Sequence, residues 1–384
     1  MSKNLLNLQN KSILITGAVG FIGSALVQRV CTENPQATVI GLDSVNDYYD
    51  VSLKEYRLAQ LSKLPNFTFI KGNLADKKLI EEIFTKYQPQ IVVNLAAQAG
   101  VRHSITHPDA YIEANLIGFY NILEACRHSY DNDKTGVEHL VYASSSSVYG
   151  SNSKMPYAVE DKVDNPVSLY AATKKADELL AHAYSKLYNI PSTGLRFFTV
   201  YGPAGRPDMA YFGFTNKLVK GEKIRIFNFG NCKRDFTYID DIVEGVIRVM
   251  MGAPIRQNGP DGLPVPPYAL YNIGNNSPEN LLDFVQILQE ELIRAELLPQ
   301  DYDFEAHKEL VPMQPGDVPV TYADISSLEK DFGFKPRTSL REGLHKFVQW
   351  YKAFYCNLER YHDENCRSRN RICGPITGHT ASPK

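Results

Sequence analysis

Short apolar runs alternate with helix-like segments through the first half of the chain. Apolar residues at helical spacing separate the runs, as over residues 77–87, 110–126 and 170–188. Parallel strands need crossover helices, and strands covered on both faces are apolar throughout. This βαβα order predicts an α/β fold built on a doubly wound parallel sheet. The predicted strands are residues 12–16, 38–42, 67–70, 91–95, 139–143 and 193–198.

The pattern loosens after Tyr201. Residues 252–267 are rich in Pro and Gly and predict a surface loop. Another strand is predicted at 270–274, and Ser277 followed by Pro278 predicts the start of a helix. Further helical patterns complete a smaller C-terminal α/β lobe, which we expect to bind substrate. They cover residues 281–295 and 340–355.

These patterns divide the chain into two lobes and a tail. Residues 1–200 are expected to form a Rossmann-like domain, which also receives 235–252 and about 269–275. The substrate lobe then comprises 201–234 and 276–355. Residues 356–384 are polar and aperiodic, which predicts a disordered tail.

Composition narrows the class of partner. The chain has 384 residues and a net charge of -2, which gives no reason to expect nucleic acid or an anionic membrane as partner. It has no apolar run of membrane-spanning length, and residues 1–11 lack the apolar core of a signal peptide. The spacing of its six cysteines fits neither a zinc site nor a disulfide framework. We therefore expect reduced thiols, no metal and a cytoplasmic location.

Three glycines follow the first predicted strand and open the first helix. Gly17, Gly20 and Gly23 are spaced GxxGxxG. Glycine permits a tight turn and close approach of the backbone to a pyrophosphate, which the helix N-terminus attracts. Glycines also cap helices, but this motif has the strand before it and the helix after it that a dinucleotide site requires.

Two polar residues end the following strands. Asp43 lies twenty residues after Gly23. A carboxylate there accepts hydrogen bonds from ribose hydroxyls and repels a 2′-phosphate, which favours NAD over NADP. Asn73 ends the third strand and either contacts the adenine or is a simple turn residue.

A tyrosine and a lysine share a helix face beside a run of serines. Tyr170 and Lys174 form a YxxxK motif, and residues four apart lie on one face. A nearby cation favours the phenolate, so the pair could supply a base. Residues 144–147 are all Ser and follow the fifth strand, where they either meet substrate or form a polar loop.

Together these motifs resemble the extended short-chain dehydrogenase/reductase family over residues 11–355. The resemblance rests on TGAVGFIG at 16–23, SSSSVYG at 144–150, YAATK at 170–174 and RDFTYIDD at 234–241. It implies the Rossmann fold, NAD as cofactor and Ser145, Tyr170 and Lys174 as catalytic residues. It also implies that the cofactor contacts Gly17, Gly20, Phe21, Ile22, Gly23, Asp43, Asn73, Leu74, Ala96 and Lys174.

Within this family, the chain is similar to the UDP-glucuronate 4-epimerases. The similarity rests on GLDSVNDYYDVSLK at 41–54, QAGVR at 98–102, FTVYGP at 198–203 and RPDMA at 206–210. It implies a UDP-sugar substrate, most of all UDP-glucuronate, epimerised at C4 through a transient 4-keto sugar with Tyr170 as base. The implied substrate contacts are Arg102, Ser145, Ser146, Thr199, Arg206, Arg234 and Asp317.

A 4-keto glucuronate is a β-keto acid, which loses CO2 easily. Thr199 and Arg206 are the candidates for holding its carboxylate, as hydroxyl donor and forked cation. Where related enzymes have an Arg-Pro-Gly-Asp motif, this chain has Gln314, which leaves Arg234 for the diphosphate and Asp317 for the uridine ribose. Ala204 replaces a bulkier residue expected beside the hexose.

The resemblance leaves other functions open. One alternative is an epimerase of UDP-glucose or UDP-N-acetylglucosamine. A decarboxylase is disfavoured, since Ser146 and Ser147 stand where such enzymes carry an acid. A non-catalytic NAD-binding scaffold has no need of Ser145, Tyr170 and Lys174. The resemblance further implies a homodimer, formed by the helices around 110–126 and 170–188.

Overall fold

The computed structural model describes residues 3–131, 136–313 and 319–355, so the predicted tail at 356–384 lies outside the described residues. The strands are β1 (Lys3–Leu5), β2 (Ser12–Thr16), β3 (Thr38–Asp43), β4 (Phe67–Lys71), β5 (Ile91–Asn94), β6 (His139–Ser145), β7 (Ser192–Phe197), β8 (Thr199–Tyr201), β9 (Ile224–Ile226), β10 (Lys233–Tyr238), β11 (Gly252–Pro254), β12 (Gln257–Asn258), β13 (Pro264–Val265), β14 (Tyr268–Ile273), β15 (Pro278–Asn280) and β16 (Lys308–Leu310). The helices are α1 (Phe21–Glu33), α2 (Val51–Leu61), α3 (Lys77–Tyr87), α4 (His103–Thr106), α5 (Pro108–Tyr111), α6 (Gly118–His128), α7 (Leu169–Tyr188), α8 (Ala210–Val219), α9 (Ile239–Met250), α10 (Leu281–Arg294), α11 (Ser326–Phe332) and α12 (residues 340–355).

Seven parallel strands form the main sheet, in the order β14-β7-β6-β5-β2-β3-β4. Successive residues of β2 enter different clusters, with Ile13 and Ile15 in one and Leu14 in another. Both faces of the sheet are therefore covered, which confirms the predicted doubly wound fold. The strand order reverses between β2 and β5, and ligands of such sheets bind at the carboxyl ends of the strands beside this point.

A second, smaller set of strands follows the main sheet. β10 pairs in parallel with β8 and antiparallel with β15, and β9 pairs with β16. Helix α9, which follows β10, packs against α1 of the main domain. Hence α1 and α9, which lie far apart in the sequence, are brought together in the fold.

The predicted helix start at Ser277 is wrong. Pro278 lies in β15, and the helix begins at Leu281 with Asn280 as its cap, since the Asn280 side chain accepts a hydrogen bond from the Leu282 amide at 2.8 Å. Strand β15 is an edge strand, where the missing amide hydrogen of a proline is tolerated. The pairing of β15 with β10 overrides the local helix signal.

The predicted surface loop at 252–267 contains regular structure. β11 pairs with β1 at the start of the chain, and β12 and β13 form a short hairpin. The partner of β11 lies about 250 residues away in sequence. Local composition therefore could not reveal this pairing.

Candidate active site

The glycine loop closes tightly against the ends of two strands. Gly17 has φ +69°, and a Cβ there would lie 2.8 Å from the Ala96 amide nitrogen. A Cβ on Gly23 would lie 2.0 Å from the Gly17 carbonyl oxygen. Any side chain at either position would therefore displace backbone. Gly20 precedes α1 as its N-cap and donates its amide to Gly17 O at 2.9 Å.

The N-terminus of α1 is open. Its first turn begins at Phe21 and Ile22 and contains no acidic residue, and no side chain caps it. The leading amides of a helix have no intrahelical acceptor, and they carry a partial positive charge. This terminus can therefore receive the pyrophosphate of a dinucleotide.

Asp43 ends β3 beside the glycine loop and is 9% exposed. Its Oδ2 accepts from the Val19 amide at 3.2 Å, and its Oδ1 accepts from the Val45 amide at 2.8 Å. A carboxylate has further lone pairs on both oxygens. The fixed carboxylate can thus still accept hydrogen bonds from ribose hydroxyls.

Three other expected cofactor residues line the neighbouring strand ends. Asn73 forms a turn, because its Oδ1 accepts from the Ala75 amide at 3.0 Å, and its Nδ2 donates to Glu113 at 2.8 Å. Leu74 is buried in the core. The Ala96 amide donates to the Thr16 hydroxyl at 3.1 Å. Asn73 is therefore a turn residue, and its contact with adenine stays a prediction.

The four serines have different surroundings. Ser144 is buried and donates to Glu178 at 2.7 Å, so it belongs to the core. Ser145 ends β6 and caps a short 3-10 helix, accepting from the Ser147 amide at 3.2 Å. Ser146 is half-buried and begins that helix. Ser145 and Ser146 therefore lie at the carboxyl end of β6, where substrates of such sheets bind.

Helix α7 carries Tyr170 and Lys174. Its cap is Ser168, whose hydroxyl accepts from the Ala171 amide at 3.1 Å. Tyr170 is half-buried in the first turn, and Lys174 is buried one turn later. The Lys174 ammonium donates to Ala143 O at 3.0 Å, which ties α7 to β6 two residues before Ser145. The fold thus assembles the strand end of the serine with the helix of the tyrosine and lysine.

Asp177 was not among the residues predicted from the sequence. It lies one turn after Lys174, and its Oδ2 is 3.1 Å from the Lys174 ammonium. Burial raises the pKa of Asp177 to about 6, although Lys174 opposes this shift. The i,i+3 spacing was visible in the sequence, but the burial that perturbs the carboxyl was not.

An amide network connects α7 to the segment after β5. Asn115 lies in a π-helical stretch between α5 and α6. Its Oδ1 accepts from the Gln98 amide at 2.8 Å, and its Nδ2 donates to the Thr173 hydroxyl at 2.9 Å. The network holds the helix of Tyr170 beside the strand end that carries Ala96. Irregular π turns are frequent at functional sites, and the predicted regular helix at 110–126 did not include one.

Arg206 has a carboxylate partner of its own. Its Nε donates to Asp208 Oδ1 at 3.0 Å and its Nη2 to Oδ2 at 2.6 Å. The Tyr48 hydroxyl donates to the same carboxylate at 3.1 Å. Burial opposes the charge, but Asp208 and the neighbouring Tyr48 and Tyr170 raise the pKa of Arg206. Its cation therefore lies within electrostatic reach of Tyr170.

Arg57 connects the glycine loop to the segment that carries Arg206. It is 3% exposed and donates to Val19 O at 3.1 Å. On the other side it donates to Ala204 O from Nε at 3.0 Å and from Nη2 at 2.6 Å, and to Gly205 O at 3.0 Å. Ala204 adopts φ +51°, which turns this segment. Because the contacts join residues about 150 positions apart, no local pattern in the sequence predicts them.

The remaining expected substrate residues lie on different elements of the fold. Thr199 begins β8 and is half-buried. Arg102 is exposed and lies over the Phe227 ring at 5.5 Å. Arg234 lies on β10 and donates to Pro319 O at 3.1 Å. Asp317 lies outside the described residues, as does Gln314.

The described ranges hold neither a cluster of metal-ligating side chains nor a membrane-spanning helix. Residues 3–131, 136–313 and 319–355 contain no group of three or more His, Cys, Asp or Glu side chains that could hold a metal ion. No helix in the same ranges is long and apolar enough to cross a membrane.

Comparison with known proteins gives consistent matches over nearly the whole described chain. The model of the NAD dependent epimerase/dehydratase family matches residues 13–259. Protein CapI of Staphylococcus aureus is 50% identical over 349 residues, which cover 89% of this chain and 99% of that protein. UDP-glucuronate 4-epimerase 4 of Arabidopsis thaliana is 44% identical over 354 residues, covering 90% of this chain and 76% of that protein.

Among solved structures, a UDP-glucuronic acid 4-epimerase from Bacillus cereus, in complex with UDP-glucuronic acid and NAD, superimposes with a TM-score of 0.76. It is 30% identical, and the match covers 90% of this chain and 100% of that one. The resemblance drawn from the motifs is therefore confirmed at the level of family and fold.

Proposed function

The chain belongs to the NAD dependent epimerase/dehydratase family, and we propose that it is an isomerase that epimerises UDP-glucuronate to UDP-galacturonate at C4. One observation carries the proposal. The Lys174 ammonium bonds to Ala143 O, which joins the tyrosine helix to the strand that ends at Ser145. The named 4-epimerase relatives then favour this reaction over others that the family performs.

NAD is the cofactor of this family, and the residues present fit it. Side chains at Gly17 or Gly23 would collide with backbone, so the loop stays narrow in front of the open α1 N-terminus. Asp43 would accept from the adenosine ribose. When bound, NAD would accept a hydride from the sugar C4 and return it to the opposite face.

The proton chemistry belongs to α7 and β6. Tyr170 would take the proton of the sugar 4-hydroxyl and later return it. Lys174 would hold a positive charge one turn away, which favours the phenolate. Ser145 would hydrogen-bond the same sugar hydroxyl and orient it toward Tyr170.

The substrate carboxylate needs restraint because the 4-keto sugar loses CO2 easily. Thr199 and Arg206 would hold that carboxylate with a hydroxyl and a cation. Ser146 and Ser147 supply no acid for elimination. Arg102, Arg234 and Asp317 remain proposed contacts for the rest of the UDP-sugar.

An epimerase for neutral UDP-hexoses is the second candidate. The observation that favours it is the two-point contact between Arg206 and Asp208, since the proposed carboxylate ligand already has a carboxylate partner. UDP-glucose would need no such cation. Competition between UDP-glucuronate and UDP-glucose for the site distinguishes the two candidates.

We also propose a homodimer built on α6, α7 and the π-helical stretch before α6. This surface exposes large apolar side chains at Ile112, Ile117, Leu179 and Leu187. Clustered apolar surface of this kind is typical of subunit contacts. The Rossmann-like domain and substrate lobe are proposed with the bounds expected from the sequence. A cytoplasmic location is proposed because Cys31, Cys126 and Cys232 are buried free thiols.

The test is incubation of the purified protein with UDP-glucuronate and NAD+, followed by proton NMR, with Tyr170→Phe as control. Formation of UDP-galacturonate by the wild type alone supports the proposal. Release of CO2 with a UDP-pentose would contradict the proposed restraint of the carboxylate. Turnover of UDP-glucose with none of UDP-glucuronate would favour the second candidate.

A further inference from the structure

Lys174 and Asp177 form a buried ion pair. The Lys174 ammonium is 3.1 Å from Asp177 Oδ2, and their side chains are 3% and 2% exposed. The other carboxylate oxygen, Oδ1, has no hydrogen-bond partner among the described residues. Burying two charges costs free energy that a surface position would avoid. The pair therefore lowers stability relative to a solvent-exposed pair, and it lies on the helix that carries the proposed base.

The pair fixes the lysine at one point. Two of the three ammonium hydrogens have acceptors, Asp177 Oδ2 and Ala143 O. These acceptors belong to α7 and β6, the two elements that carry Tyr170 and Ser145. The ammonium cannot swing away without breaking one of two buried contacts.

We propose that Asp177 is a positioning residue of the active site, which holds the Lys174 ammonium in place and sets the pH range in which Tyr170 acts as the base. The inference rests on the proposed function. The proposed role of Asp177 requires no contact with substrate or cofactor. Asp177 acts through Lys174.

The charges around Asp177 support this role. The groups that influence its carboxyl are Lys174 and Glu178, and it in turn raises the pKa of the Tyr142 hydroxyl, which burial raises first. Glu178 is compensated by a two-point contact with Arg196, at 2.8 and 2.9 Å. Ionised Asp177 lies 3.1 Å from the Lys174 ammonium and offsets part of its charge, so Tyr170 experiences only part of the lysine field.

Protonation of Asp177 changes this balance. Its pKa is raised to about 6 by burial, which places the change near neutrality. Above that pH, the Asp177 carboxylate weakens the field of the neighbouring Lys174 ammonium. Below it, Asp177 is neutral and the lysine charge is uncompensated.

Asp177→Asn keeps the size and an acceptor oxygen but removes the negative charge. We compare the rate of each protein at a given pH with its own maximum. On the acid limb of the pH–rate profile above pH ~6, we expect this ratio for Asp177→Asn to exceed the wild-type ratio by about threefold. Below that pH the two profiles should converge, because wild-type Asp177 is then neutral as well. The alkaline limb should move as well, because the substitution removes the buried negative charge next to the Lys174 ammonium.

Glu178→Gln is the matched control. It removes the adjacent buried carboxylate of the same helix, whose partners are Arg196, Ser144 and Lys175 rather than Lys174. We expect Glu178→Gln to lower the melting temperature and to move the limbs of the pH–rate profile much less than Asp177→Asn does. A purely structural Asp177 would instead lower the rate of Asp177→Asn by the same factor at every pH, and that result would overturn the inference.

A second readout needs no turnover. The tyrosinate absorbance of Tyr170 is the ultraviolet difference between each protein and its Tyr170→Phe counterpart, with NAD+ present and with it absent. The expected result is that Asp177→Asn moves its appearance to lower pH. If the tyrosinate absorbance moves to lower pH while no UDP-sugar reacts, the proposed function fails and the role of Asp177 stands.

If instead sugars react but neither the limbs nor the absorbance moves, the inference fails and the proposed function stands. Should Asp177→Asn not fold, Asp177→Ser removes the same charge from a smaller side chain. The same two readouts then apply.

Discussion

The Arg206 guanidinium forms a two-point ion pair with the Asp208 carboxylate, through Nε at 3.0 Å and Nη2 at 2.6 Å. The Tyr48 hydroxyl binds the same carboxylate, and the guanidinium lies 5.8 Å from the Tyr48 ring centroid. Asp208 therefore orients Arg206 while competing with any carboxylate brought by a ligand. We therefore expect this pair to influence whether the site selects an acidic or a neutral hexose.

Removal of the cation tests that selectivity. We expect Arg206→Ala to raise KM for UDP-glucuronate by about tenfold or more, the range of a charge-assisted hydrogen bond, while the inhibition constant of UDP-glucose hardly changes. Tyr48→Phe is the milder comparison, since it removes only the hydroxyl that donates a hydrogen bond to Asp208. An equal loss for both sugars would contradict the proposed contact between Arg206 and the carboxylate.

Arg57 should connect stability to substrate binding. Arg57→Ala leaves the carbonyls of Val19, Ala204 and Gly205 without this donor, at a cost of about 3 kcal/mol in unfolding free energy. Because Ala204 and Gly205 lead into Arg206, KM for the UDP-sugar should rise as well. Thermal unfolding and steady-state kinetics measure the two effects.

Lys54→Met is the control for Arg57. Lys54 is also a buried cation of α2, but its hydrogen bonds go to Asn46 within the same lobe. The Lys54→Met substitution should lower the melting temperature and leave KM for the UDP-sugar unchanged. A rise in KM as large as that of Arg57→Ala would mean that general destabilisation, rather than the link between lobes, causes the effect.

His139 should make the protein sensitive to acid. Burial lowers the pKa of His139 from 6.5 to about 4, although the Met250 carbonyl opposes this shift. Between those values the unfolded chain takes up a proton that the native ring does not, so stability falls as pH decreases from about 6.5 to about 4. The loss amounts to about 3 kcal/mol.

The measurement is the difference in unfolding free energy between wild type and His139→Gln as a function of pH. The difference isolates His139, because Asp177 titrates in an overlapping range with the opposite sign and cancels between the two proteins. A difference that is constant from pH 4 to 6.5 would contradict the assignment.

The proposed dimer surface predicts an effect of charge. Leu179 is 60% exposed on α7, and we expect Leu179→Glu to convert a dimer into a monomer in light scattering, because a carboxylate would be buried at the contact. Leu263→Glu is the matched control, since Leu263 is 64% exposed on the segment between β12 and β13. If Leu263→Glu dissociated the dimer and Leu179→Glu did not, the dimer contact would lie at the segment between β12 and β13 instead of on α7.

Much of the fold was readable from local pattern. The parallel strands, the glycine loop and the YxxxK helix lie where apolar spacing predicted them, since each depends on the geometry of a few consecutive residues. The short strand at Pro278–Asn280 was misread as a helix start for the opposite reason, because its partner β10 lies over forty residues away.

The sequence by itself determined the family, the sheet and the residue types available for catalysis, because strand periodicity, glycine spacing and helix faces are local properties. Only the tertiary structure decided which charges meet. Arg57 binds the backbone of Val19 and of Gly205, Arg206 is paired with Asp208, and Asp177 is buried with Lys174. Long-range packing sets burial, and burial sets the free energy of each charge, so these relationships could not be predicted from residue spacing.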